Sequence, residues 1–217
     1  MISLIIPARN ESKTIEHVVY TALNCFLVDE VIVVDNNSID ETGERAKNIG
    51  ATVIFESNIG KGQALKSGAN IAKGEILVFI DGDLINFTEN HIADLISPII
   101  NGECHMSCCL FDRGKLMNFI HINFLPIWTG QRAIHKEIFS CLSISEISGY
   151  KVESALNTLC FIKNLRVNKF IGKSLKHVSK EKKHNFILGI CSRLIMYIEA
   201  FYGYLYVYFN RLIFNRN

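Results

Sequence analysis

Apolar residues near the start of the chain come in short runs, each followed by a polar break and then a stretch with helical spacing. Ile2 to Ile6 is such a run, stopped by Pro7, and Asn10 or Ser12 can cap a helix from about Lys13 to Asn24. EVIVVD, Glu30 to Asp35, is continuous and β-branched, as a strand covered on both faces would be. The polar turn NNSIDET leads into a helix through Glu41 to Ile49. ATVIFE predicts a third strand, GQALKSGANIAKG a third helix stopped by Gly74, and EILVFID a fourth strand. Strand and helix alternating in this way predict right-handed crossovers and an α/β fold, with a mostly parallel central sheet flanked by helices.

The second half is less regular. HIADLISPII predicts a helix with Pro98 as a kink or boundary, and HMSCCLF a strand. LMNFIHINFLPIW is an apolar segment ahead of the short stretch TGQRAIHKEIF. GYKVESALNTLCFIKN has the spacing of an amphipathic helix, followed by a strand near Arg166 to Ile171. On this reading residues 1–184 form one domain, and 185–217 form an aromatic-rich helical tail. Leu194 to Phe209 is almost wholly apolar, but Arg193, Glu199 and Arg211 interrupt or bound it. Its apolar runs fall short of the roughly 18 to 20 residues that a spanning helix needs. Packing on the protein, contact in a homo-oligomer and an interfacial position on a membrane all fit such a tail.

Composition narrows the class. A chain of 217 residues suits one domain with an appended segment. Its 49% apolar and 20% charged residues are globular proportions. A net charge of +2 gives no reason to expect a nucleic-acid partner. The seven cysteines (Cys25, Cys104, Cys108, Cys109, Cys141, Cys160 and Cys191) include no CxxC pair and no zinc spacing. They read as reduced core thiols of a cytosolic protein. The opening MISLIIPARNE lacks the charged and apolar regions of a secretory signal, so none is expected.

Candidate chemistry gathers at strand ends. In a parallel α/β sheet, ligands bind outside the carboxyl ends of the strands. Pro7 to Glu11 follow the first strand, Asp35 ends the second, and Asp81 and Asp83 end the fourth. Asp35 fits an ordinary strand-end turn, and equally a carboxylate that accepts from a base imide or a ribose hydroxyl. NIGKGQALKSG places Lys61 between Gly60 and Gly62 but is not a GxxxxGK[ST] loop. It suits either close approach of a ligand or a plain loop-to-helix junction. In LVFIDGDL the two aspartates repel each other unless a divalent cation lies between them and a polyphosphate. At the end of a fourth strand, a site for magnesium or manganese is the better reading.

Taken together, IPARNE, VIVVDNNSIDET, NIGKGQAL and FIDGDL resemble the nucleotide-binding half of family 2 glycosyltransferases of the GT-A fold. The resemblance implies a Rossmann-like GT-A sheet and a metal-dependent transfer of sugar from a nucleotide-diphosphate donor, with a UDP-sugar favoured over a GDP-sugar. It implies nucleotide contacts at Pro7, Ala8, Glu11, Asp35 and Lys61, a ribose or metal contact at Asp81, and a metal ligand at Asp83. Further along, TGQRAIHKEIF resembles the acceptor-side loop, where Arg132 would clamp an anionic acceptor. GYKVESAL resembles the segment carrying an acidic residue to the acceptor, here Glu153. LKHVSKEKKH resembles the histidine loop of glucosyl-3-phosphoglycerate synthase-like members and would make His177 a third metal ligand. Its lysines, with Arg132 and the aromatic tail, would suit a polyprenyl phosphate acceptor at the inner face of a membrane. A saccharide or other small hydroxyl acceptor is the alternative. A non-catalytic nucleotide-binding or scaffold protein would keep the fold, but the intact Asp35, Asp81 and Asp83 argue against it.

Overall fold

The computed structural model describes residues 1–123, 129–147, 152–177 and 205. The first half runs β1 (Ile2–Ala8), α1 (Ile15–Asn24), β2 (Glu30–Asp35), α2 (Thr42–Ile49), β3 (Thr52–Phe55), α3 (Lys61–Ile71) and β4 (Ile76–Phe79). After it come β5 (Leu84–Ile85), α4 (Glu89–Ile100), β6 (Met106–Phe111) and α5 (Lys115–Asn123). The chain continues through β7 (Arg132–His135), α6 (Lys136–Ser140), α7 (Ile144–Ile147), α8 (Val152–Ile162), β8 (Val167–Gly172) and β9 (Lys176–His177). The alternation predicted for the first half is therefore observed. The tail expected at 185–217 lies outside the described residues except for Leu205, and Lys180, Lys182 and Lys183 lie outside them as well.

Seven strands form one sheet in the order β3-β2-β1-β4-β7-β6-β8. β1 pairs in parallel with both β2 and β4, so the chain builds outward on one side of β1 and then crosses to the other. That reversal opens a crevice beyond the carboxyl ends of β1 and β4, where ligands of such sheets bind. β7 is the exception to parallel order: it runs antiparallel between β4 and β6. The segment TGQRAIH, which carried no strand signal, thus starts at the edge where the other strands end. A two-stranded sheet pairs β5 with β9, setting Leu84 against His177.

The strand period of two decides the two cores. Leu4, Ile6, Val31, Val33, Val78 and Ile80 face one layer, against Val18, Leu95 and Ile96 of α1 and α4. Ile5, Ile32, Val34, Leu77 and Phe79 face the other, against Leu65, Phe139, Leu156 and Leu159 of α3, α6 and α8. Full burial of each such side chain contributes about 1.5–3 kcal/mol. Pro98 sits inside α4 without ending it, two residues from the helix C-terminus, so the missing N–H disturbs only the last turn. Five of the six described cysteines are buried, as expected, but Cys141 is exposed after α6, where its thiol lies against the Glu137 carbonyl. Among the described residues no helix is long and apolar enough to cross a membrane.

α3 lies unusually close to the sheet because Gly68 faces it. A methyl group there would come within 2.5 Å of Ile5 Cγ2 and 3.0 Å of Val34 Cγ2. Gly68→Ala is expected to destabilise the fold by about 1–3 kcal/mol through overpacking. A lower urea midpoint with an unchanged slope checks this.

Candidate active site

The first two loops at the carboxyl edge are laced together. Asn10, in left-handed backbone (φ 58°), accepts at Oδ1 from the Ile39 N–H at 2.9 Å and donates its own N–H to Ser38 Oγ. Asparagine tolerates that conformation better than most residues. The Glu11 N–H donates to Thr42 Oγ1 at 2.8 Å. Asp35, at the end of β2, accepts from the Ser38 N–H at 3.0 Å. Only glycine fits opposite it, because a Cβ on Gly43 would stand 2.5 Å from Asp35 Oδ2. Asp40 accepts from the Thr42 N–H at the start of α2. Pro7 and Ala8 lie in the last turns of β1, beside β2 and next to the crevice.

Asn36 was not singled out by its sequence, yet it builds the third loop. Its buried amide donates to the Glu56 and Asn58 carbonyls at 3.1 and 2.7 Å and accepts from the Gly60 N–H at 2.7 Å. Those bonds fix the residues just before Lys61. In the sequence Asn36 looks like any turn asparagine.

Lys61 opens α3, at the positive end of the helix dipole, where a cation is disfavoured. Two carboxylates offset this. Its ammonium lies 2.7 Å from Asp81 Oδ1 and 2.9 Å from Glu153 Oε1, and all three side chains are mostly buried. Burial pushes the ammonium down, but the two carboxylates outweigh it and hold Lys61 well above its ordinary value. For Asp81, burial works upward. The Lys61 charge, hydrogen bonds from Lys61 and Gln131, and the nearby His177 outweigh it and hold the carboxyl below its ordinary range. Lys61 is thus enclosed by two protein carboxylates rather than presented as a solvated lysine.

Gln131 completes this network and was also missed. Its Nε2 donates to Asp81 Oδ2 at 2.7 Å, and its Oε1 lies 2.6 Å from Thr129 Oγ1. Between them Gly130 has no room for a side chain: a Cβ would stand 2.3 Å from Lys61 Nζ and 2.6 Å from Asp81 Oδ2. The only sequence signal was the glycine in TGQ.

Arg132, one residue on, is not brought to the crevice. It is 1% exposed, and its guanidinium donates to the Thr129 carbonyl at 2.8 Å and to Asn157 Oδ1 at 2.9 Å. Because β7 runs antiparallel, Arg132 pairs with Phe79 and Cys108 and its side chain enters the core layer under α8. It ties β7 to α8, a different placement from the clamp on an anionic acceptor that the resemblance implied.

The DGD turn joins β4 to β5, and Thr14 Oγ1 donates to the Gly82 carbonyl at 2.7 Å, fastening it to α1. The β5–β9 pairing returns His177 from the end of the domain to the position opposite Leu84, one residue from Asp83. Its ring packs against Phe111, with centroids 4.9 Å apart. Among the described residues no three His, Cys, Asp or Glu side chains stand grouped as a finished metal centre. The Asp83 carboxylate is a donor type suited to Mg²⁺ or Mn²⁺, which take few protein ligands and complete their shell with water and phosphate oxygens, and an imidazole such as His177 suits Mn²⁺ better than Mg²⁺. A cavity of about 940 Å³ lies behind the turn, between Lys13, His17, Asn86 and Lys173, separate from the Lys61 network.

The Glycosyl transferase family 2 model matches residues 3–140. Glucosyl-3-phosphoglycerate synthase of Mycobacterium tuberculosis is 40% identical over 112 residues, covering 47% of this chain and 35% of that protein. The 4,4'-diaponeurosporenoate glycosyltransferase of Staphylococcus haemolyticus is 35% identical over 102 residues, covering 44% of this chain and 27% of that protein. The matches thus span about a third of these relatives' lengths. Among solved structures, the Mycobacterium tuberculosis synthase in complex with Mn²⁺, UDP-glucose and phosphoglyceric acid superimposes with a TM-score of 0.78. It is 27% identical and covers 95% of this chain and 79% of that one.

Two expectations follow from the network. Asp81, with its lowered folded value, adds stability above the unfolded carboxyl value of about 3.9 and loses it as pH falls through the folded one. Lys61, with its raised value, adds stability below about 10.4 and loses it only as pH rises through the folded value. The contribution of this network to stability should therefore be flat from about pH 5 to 9, and Asp81→Asn should shallow the fall below about pH 4 in urea melts. Separately, Gly130→Ala should cost about 1–3 kcal/mol by forcing the ion pair apart, read as a lower urea midpoint.

Proposed function

The chain belongs to glycosyl transferase family 2, and from that premise we propose that it moves a sugar from a UDP-sugar donor to a phosphate-bearing acceptor, with Mg²⁺ or Mn²⁺. The observation that carries this is the return of His177 to the DGD turn at the reversal of strand order. The Mycobacterium tuberculosis synthase, which resembles this chain over nearly its whole length, binds Mn²⁺ with UDP-glucose and phosphoglyceric acid. That likeness favours UDP-glucose as donor and a small phosphorylated hydroxy acid as acceptor. The free thiols support a reducing, cytoplasmic compartment.

In this reading, the laced loops of Glu11 and Asp35, with Pro7 and Ala8 beneath them, hold the nucleoside and fix its register along the edge. Asp81 orients the ribose or shares the metal, and Asp83 and His177 hold the ion. When bound, the ion neutralises charge on the departing diphosphate. Glu153, on the first turn of α8, faces the acceptor hydroxyl and accepts its hydrogen bond. Fixing donor and acceptor on one rigid sheet edge supplies proximity.

A lipid acceptor is the second reading. α5, on the connection leaving β6 at the same edge, exposes Leu116 (72%) and Phe119 (59%) next to Arg113 and Lys115. Such a face suits a polyprenyl phosphate at a membrane surface.

The test is UDP release from UDP-glucose with Mn²⁺, given 3-phosphoglycerate, a short polyprenyl phosphate in detergent, or no acceptor. Stimulation by 3-phosphoglycerate is expected, together with loss of activity in EDTA and at least a hundredfold lower turnover in Asp83→Ala. Stimulation by the lipid phosphate alone would move the assignment to the second reading. Metal-independent activity, or an Asp83→Ala variant as active as the wild type, would overturn the metal assignment.

A further inference from the structure

Three independent features fix the position of Lys61. Gly62, the next residue, lets α3 lie directly against α7, where a Cβ would stand 1.5 Å from the Ile147 carbonyl oxygen. Gly130 closes over the ammonium from the segment before β7, leaving no space for a side chain between it and Asp81. Asn36 holds the loop ahead of it through the Gly60 N–H. A lysine on a surface loop can swing toward a ligand, but this one starts from a helix packed on α7 and ends beneath Gly130. Its charge is taken up by Asp81 on the donor side and Glu153 on the acceptor side, at 2.7 and 2.9 Å.

We infer that Lys61 is a positioning residue that sets the Glu153 carboxylate at a fixed distance from Asp81, and so sets the acceptor relative to the donor. This rests on the reading of Glu153 as the acceptor-side carboxylate. The nucleotide contact suggested for Lys61 by its sequence is then secondary. The two carboxylates arise from distant segments, β4 and α8, and would repel if brought together alone. The ammonium between them makes their approach favourable and, through its tetrahedral donors, directional. Arginine keeps the charge but not the size, and the space left by Gly130 does not admit a guanidinium.

The experiment is a kinetic double-mutant cycle on full-length protein with UDP-glucose, Mn²⁺ and 3-phosphoglycerate, using Lys61→Met, Lys61→Arg, Glu153→Gln and the Lys61→Met/Glu153→Gln pair. Loss of support for Asp81 should appear in the donor KM, and loss of Glu153 placement in kcat. At saturating donor, Lys61→Met and Glu153→Gln should each lower kcat by at least about fiftyfold, and the double variant should match Glu153→Gln within about threefold. Lys61→Arg should not restore kcat. If Lys61→Met does not fold, the double variant, which leaves one buried carboxylate rather than two, is compared with Glu153→Gln directly. Multiplying effects in kcat, or a Lys61→Met change confined to the donor KM, would overturn the inference while leaving the transferase reading intact. A wild-type protein that releases no UDP with any acceptor would overturn both.

Discussion

Everything at the candidate site depends on one topological constraint, the reversal of strand order between β1 and β4. Parallel strands linked by right-handed crossovers must place successive helices on one face until the order turns back. Here α1 and α2 cover one face and α3 the other. The loops after β1 and β4 therefore diverge, and the space between them belongs to neither layer. The loop after β1 is held against the loop after β2 by Asn10, Glu11 and Ser12, so one wall of the crevice is rigid before any ligand arrives.

The other wall is electrostatic. A buried cation flanked by two carboxylates is costly to desolvate and depends on good geometry for its stability. The geometry here comes from glycines that remove side chains at the contact points and from Gln131, which takes the remaining oxygen of Asp81. Lys61, Asp81, Gln131 and Glu153 come from four separate segments, and none has an obvious partner in the linear sequence. The network thus joins the ends of β4, β7, α3 and α8 into one unit at the carboxyl edge of the sheet.

The antiparallel strand β7 explains the hardest errors of a linear reading. A strand entering the sheet from the ligand edge puts its first residues, not its last, at the site. Gly130 and Gln131 therefore reach Lys61 and Asp81, while Arg132 turns to Thr129 and Asn157. The residue type suggested an anion clamp; the direction of the strand made it a structural tie to Asn157. In the same way Pro98, a helix breaker by type, is tolerated because it falls in the last turn of α4.

By itself the sequence determined the elements of the first half and the strand-end positions of Asp35, Asp81 and Asp83. These follow from local periodicity, in which side chains alternate along strands and recur along helices, and a single chain carries that pattern. Tertiary structure alone decided that Lys61 meets Glu153 and that Gln131 meets Asp81, and it set the register that puts His177 opposite Leu84. Such meetings depend on strand direction, register and the small residues that allow close approach. None of these leaves a period in the sequence, and pairing between segments this far apart is set by packing rather than by neighbours.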